Sequence, residues 1–168
     1  MDACVVVIAL DGETALSIAE TVEQALADVF RADVARRSLA QNGALLRADS
    51  VAEAVEFATD FAPEHLLLAL TDAERVLLDI RNAGCVFVGE QSSVVFGDYI
   101  TGGNHVLPTG GLARSYSGLG ALDFVRWTSY QKVTREAAQR LAGDSAILAG
   151  AEGLPAHAAA ALGWSTQC

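Results

Sequence analysis

Four short apolar runs recur along the first half of the chain: "CVVVIAL" at 4–10, "GALLRA" at 43–48, "HLLLAL" at 65–70 and "GCVFVG" at 84–89. Each is too short for a helix of ordinary length and is bounded by polar or turn-forming residues, as buried strands are. The stretches between them read as helices: one from about Glu13 to Phe30, then a polar helical stretch to Gln41. Ser50 with Glu53, and Thr71 with Glu74, have the spacing of a capping box, so helices are expected to start after Ser50 and after Thr71. Strands that alternate with helices are joined by right-handed crossovers on a mainly parallel sheet. The class expected is α/β.

After Gly89 the pattern changes. The segment "EQSSVVFGDYITGGNHVLPTGGLARSYSGLGALDF" is rich in glycine and poor in amphipathic periodicity. So long a loop inside a compact domain is usually functional. "FVRWTSYQKV" could add a strand, and from Thr134 onward the chain reads as two or three short helices, a small helical appendage.

Composition narrows the function classes. An apolar fraction of 52% over 168 residues is ample for a core. Eleven basic against 21 acidic residues give a net charge of −10, which repels phosphate backbones and anionic lipid, so neither nucleic acid nor a membrane surface is expected as a partner. Cys4, Cys85 and Cys168 are odd in number and lack CxxC spacing, which argues against a disulfide framework or a cysteine zinc site and for a reducing cytoplasm. "ACVVVIAL" is too short to span a bilayer, and Asp2 has the wrong charge for a signal peptide.

Chemistry centres on three histidines. Pro63 disfavours helical geometry at Ala62, so Glu64 and His65 fall in a turn at the mouth of a strand. Asp98 and His105 share the glycine-rich loop, and Glu152 and His157 share the tail. Imidazole titrates nearest neutrality, so each pairing suits proton transfer or metal ligation. Singly, each also has a plainer reading: His65 a strand-edge residue bonded to backbone, Asp98 a turn former, His157 a solvated helix residue. Other motifs are weaker. "SGLGALD" contains GxG but lacks the third glycine and does not lie between a first strand and its helix, so it reads as a turn. Ser115 and Ser117 have no neighbouring base that would support a serine nucleophile.

Taken in order, "FAPEHL", "GDYITGGNHVLPT", "ARSYSGLGALDF" and "AEGLPAH" resemble histidinol dehydrogenase, from about Ala3 to Ala161. The resemblance implies oxidation of L-histidinol through the aldehyde to L-histidine, the last step of histidine biosynthesis, with NAD and a zinc ion. It implies that Glu64 and His65 are the acid/base pair, the imidazole taking the proton released from the alcohol and the carboxylate activating water on the aldehyde. Asp98 and His157 then correspond to metal ligands, and His65, Asp98, Glu152 and His157 to substrate contacts. His157 would come from the tail of the opposite subunit, which implies a homodimer with exchanged tails. His105 lies in a family motif without a definite step.

Family members are considerably longer, and the resemblance places their other two zinc ligands and most of their NAD contacts upstream of Met1. The architecture expected is therefore an incomplete Rossmann-like parallel sheet flanked by helices over 1–120, the C-terminal half of a catalytic domain, followed by a small, mostly helical tail domain over 121–168. Two other readings stand beside the enzyme: a non-catalytic fragment that dimerises or holds substrate, and a relative that oxidises another amino alcohol or hydroxy compound.

Overall fold

The computed structural model describes residues 3–165, and the chain divides into two compact units between Phe124 and Val125. In the first unit, β1 (Val6–Ala9) is followed by α1 (Gly12–Asp28), α2 (Ala32–Asn42) and β2 (Ala44–Arg47). Next come α3 (Val51–Phe61), β3 (His65–Leu68), α4 (Ala73–Leu77), β4 (Cys85–Val88) and α5 (Val94–Tyr99). Two 3-10 turns follow, Leu112–Arg114 and Ala121–Phe124. The α/β class and the parallel pairing are as expected.

The strands do not form the one sheet anticipated. β1 pairs with β2, Val6 opposite Ala44, and β3 pairs with β4, His65 opposite Cys85, giving two separate two-stranded parallel sheets. Each pair is closed by its own helical crossover, so each βαβ unit completes its ladder locally, and α3 rather than a strand ladder carries the chain from one to the other.

Helix starts follow side-chain chemistry more closely than spacing. Asp11 caps α1 by accepting from the Thr14 backbone N–H and from the Thr14 hydroxyl, both at 2.8 Å. These two bonds, the backbone one first, hold its carboxyl below the usual range. Ser50 caps α3 by accepting from the Glu53 N–H at 3.2 Å, while Glu53 Oε2 accepts from the Asp49 N–H at 2.7 Å, one residue earlier than a reciprocal box. The Thr71–Glu74 expectation is corrected: α4 starts at Ala73 with Asp72 at its cap position and no side-chain capping bond.

The strand period of two sorts the second sheet into faces. Leu66, Leu68, Val86 and Val88 pack with Ala73 and Val76 of α4 and with Val51 and Val55 of α3 in a hydrophobic core. His65, Leu67, Cys85 and Phe87 alternate with them and turn to the other face.

In the second unit, 125–133 carry no strand, contrary to the reading of "FVRWTSYQKV": no ladder forms there among the described residues, and Trp127 and Tyr130 are 85% and 92% exposed. These aromatic side chains have no neighbouring strand to cover them among the described residues. Thr134 then caps α6 (Arg135–Ala151), its hydroxyl accepting from the Ala137 N–H at 3.2 Å. Gly153, at φ 72°, makes the left-handed turn into α7 (Pro155–Leu162), which opens with the proline that a first helical turn tolerates. No helix among the described residues is long and apolar enough to cross a membrane.

Candidate active site

The turn carrying Glu64 and His65 is built by three local devices. α3 stops because Ala62 adopts the left-handed region at φ 51°, its N–H closing on the Ala58 carbonyl at 2.9 Å, and Pro63 follows. The turn is then stitched to the neighbouring strand: the Gly84 N–H donates to Pro63 O and the Cys85 N–H to Glu64 O, both at 2.9 Å. Gly84 is required there, since a Cβ would stand 2.6 Å from Glu64 O and 3.1 Å from Pro108 Cδ. Arg114, from the glycine-rich segment, donates to the Asp60 and Gly111 carbonyls and ties that segment to the end of α3.

His65 turns to the face it shares with Phe87, their rings 5.9 Å apart and tilted by 32°. α5 lies against the same phenylalanine. A Cβ on Gly97 would sit 2.5 Å from Phe87 Cε1, so only glycine allows the helix this close. The next residue is Asp98, whose Oδ1 stands 3.4 Å from His65 Nε2 and 3.1 Å from His105 Nδ1. Both Asp98 and His65 are three-quarters buried, whereas the His105 side chain is 68% exposed. These groups border a cavity of about 310 Å³ whose wall includes His65, Cys85, Phe87, Ser93, Asp98 and Asn104.

The first unit thus brings together His65, Asp98 and His105. Glu64 is half-buried beside them and off the cavity wall, and its carboxylate has no hydrogen-bond or ion-pair partner among the described residues. Glu152 and His157 belong to the second unit. Glu152 caps the C-terminus of α6, its N–H donating to the Leu148 carbonyl at 3.1 Å, and His157 is the third residue of α7; both side chains are exposed. Sequence reasoning missed the spacers Phe87, Gly84 and Gly97, because a glycine's need for close approach is invisible until the facing atom is known. It also missed Cys85 as a cavity residue, although pairing of the two strands would have set it beside His65. Cys4 and Cys85 are free thiols, and Cys168 lies outside the described residues.

Asp98 suits one position in a divalent-metal shell: Oδ1 is engaged by imidazoles and Oδ2 has no partner among the described residues. No group of three or more His, Cys, Asp or Glu able to hold an ion occurs among the described residues, so any such shell is partial here. A dinucleotide fits less well. In parallel α/β folds a pyrophosphate sits where strands end and helices begin. Here Asp11 follows β1 and occupies the Thr14 N–H in the first turn of α1, Asp49 follows β2, Asp72 and Glu74 follow β3, and Glu90 follows β4. A cleft of about 920 Å³ at the ends of β3 and β4 is lined by Asp72, Glu74 and Glu90 against one arginine, Arg75. Such an acidic rim repels a pyrophosphate. Gly118 and Gly120 precede a 3-10 turn, and the nearest neighbour of a Gly118 Cβ is the Leu107 side chain.

Known proteins resemble this chain along most of its length. The family model "Histidinol dehydrogenase" matches residues 1–162. A histidinol dehydrogenase from Dehalococcoides mccartyi is 40% identical over 157 residues, 94% of this chain and 36% of that protein. One from Methanopyrus kandleri is 45% identical over 156 residues, 92% of this chain and 36% of that protein. A crystal structure of histidinol dehydrogenase from Elizabethkingia anophelis superposes with a TM-score of 0.81 at 34% identity, covering 95% of this chain and 36% of that one. The chain therefore spans about a third of the length of these relatives. The match along nearly the whole sequence makes this chain a member of the histidinol dehydrogenase family.

Proposed function

We propose that the chain supplies the proton-transfer groups and part of the metal shell for oxidising L-histidinol, through the aldehyde, to L-histidine. The observation that supports this most directly is the 3.4 Å approach of His65 Nε2 to Asp98 Oδ1, one residue from a carboxylate with no partner of its own. His65 takes the proton of the alcohol. Glu64 takes a proton from water as it adds to the aldehyde, a task for which a half-buried and unengaged carboxylate is suited. Asp98 and His157 would hold a zinc ion, which when bound supplies Lewis-acid polarisation of substrate oxygen. The Glu152 carboxylate matches the cationic amine of histidinol, and His65, Asp98 and His157 complete the substrate's contacts.

The oxidant of the family resemblance, NAD, is not accommodated by the acidic strand ends of this chain, so the residues that bind it belong to another part of the enzyme. We read residues 1–120 as the C-terminal half of the catalytic domain and 121–168 as a tail exchanged within a cytoplasmic homodimer. Catalytic zinc takes three protein ligands as a rule, and Asp98 and His157 are two, so the chain alone is expected to be inactive. A second reading, an assembly or substrate-holding module without redox chemistry of its own, is favoured by the exposed aromatics Phe124, Trp127 and Tyr130. The test is NADH formation from histidinol by the chain alone and with the preceding region of a family member supplied in trans. Activity only in the mixture supports the enzyme reading; no activity in either leaves the module.

A further inference from the structure

Asp98 Oδ1 faces two imidazoles, yet only one of them hydrogen-bonds to it. His105 Nδ1 meets it with hydrogen-bond geometry at 3.1 Å, whereas His65 Nε2 makes a looser contact at 3.4 Å. A carboxylate can only accept, so the neutral His105 ring must carry its proton on Nδ1 and its lone pair on Nε2. Although 68% exposed, His105 is not a loosely solvated side chain by backbone criteria. The Asn104 side chain accepts from the Val106 N–H at 2.7 Å and donates to the Leu119 carbonyl, and the Leu119 N–H donates to Val106 O at 2.9 Å. His105 is thus held between two residues that are pinned to the 118–119 turn. Gly118 permits that approach, since its Cβ would stand 2.9 Å from Leu107 Cδ2.

We propose that His105 is a positioning residue for Asp98. Its Nδ1–H anchors Oδ1, holds the carboxylate from closing on His65, and leaves Oδ2 for a divalent ion. Without it, Oδ1 is free to pair fully with His65 Nε2, which would tie up the base and rotate the carboxylate away from the metal. The inference rests on the reading of Asp98 as a metal ligand for its consequence, but not for the hydrogen bond itself.

Two measurements separate the two. Long-range proton–nitrogen NMR correlations without metal should show His105 protonated on Nδ1, with that preference lost in Asp98→Asn. His105→Leu should move the His65 Nε2 resonance, and His105→Asn, whose side-chain amide puts an N–H near the same place, should restore it. A His105 ring protonated on Nε2 and indifferent to Asp98→Asn overturns the proposal, and so does an unmoved His65 in His105→Leu. In a zinc titration of the chain completed by the preceding region of a family member, followed by the Asp98 carboxyl resonance, His105→Leu should weaken affinity about 10- to 100-fold, the usual loss for a partner behind a ligand, with His105→Asn recovering most of it. Equal affinity in parent and leucine variant also overturns the proposal, whereas an Asp98 carboxyl that zinc does not move overturns the metal role of Asp98.

Discussion

Gly97→Ala tests the spacing on which the site depends. The added methyl would sit 2.5 Å from Phe87 Cε1 and 2.6 Å from Cζ, about 1 Å inside ordinary carbon–carbon contact. Phe87 is only 8% exposed and backed by the sheet, so it has little room to retreat, and relief must come largely from α5 moving outward by about 1 Å. Overpacking of this kind costs about 1–3 kcal/mol. Because Asp98 follows Gly97 directly, the same movement opens its 3.4 Å approach to His65. A displacement of about 1 Å in a reacting geometry is enough to cost about a hundredfold in rate. Urea denaturation of parent and variant reads the stability term, and NMR of His65 and Asp98 reads the displacement. Phe87→Leu removes the ring atoms that clash, so in a double-mutant cycle it should recover part of the loss caused by Gly97→Ala. A Gly97→Ala chain as stable as the parent, with His65 and Asp98 resonances in place, would refute the claim that this glycine sets the distance.

Gly84→Ala should be the more damaging of the two glycine substitutions, because its Cβ meets the Glu64 carbonyl at 2.6 Å, and backbone cannot turn aside as a ring can; the Cys85 N–H to Glu64 O bond should lose its hydrogen-exchange protection. Asp11→Asn tests the α1 cap through pH. The native Asp11 carboxyl is held low, so its contribution is present above the unfolded carboxyl value of about 3.9 and is lost as pH falls through the lower native value. Parent and variant should therefore differ in denaturation midpoint at pH 6 and converge in strong acid, and a difference that does not vary with pH contradicts the assignment.

Much of the first unit is legible in the residues, because apolar runs of strand length and the Ser50 cap are local signals that tertiary packing did not override. The pairing of strands was not, since four similar runs say nothing about which ladders close. Thr71 failed as a cap because Asp72 stands one residue nearer the helix and takes the cap position itself. "FVRWTSYQKV" failed as a strand because β propensity gives a ladder only where an edge is on offer. At the site, Pro63 announced the turn of Glu64 and His65, but the approach of Asp98 to His65 spans 33 positions and depends on Phe87 and Gly97, which no short motif connects. His105 was visible as a loop histidine; its bond to Asp98 depends on the path of a loop that sequence patterning does not define.

The central claim is that Glu64 and His65 serve different proton transfers, and it is tested most directly in the chain completed by the preceding region of a family member. His65→Asn should slow both oxidation of histidinol and oxidation of supplied histidinal, by about a hundredfold to ten-thousandfold, the usual worth of a general base. Glu64→Gln keeps the size of the carboxylate but cannot accept a proton from water, so NADH formation from histidinal should fall while the first oxidation of histidinol proceeds. If Glu64→Gln oxidises histidinal at the parent rate, Glu64 does not activate water and the division of roles is wrong.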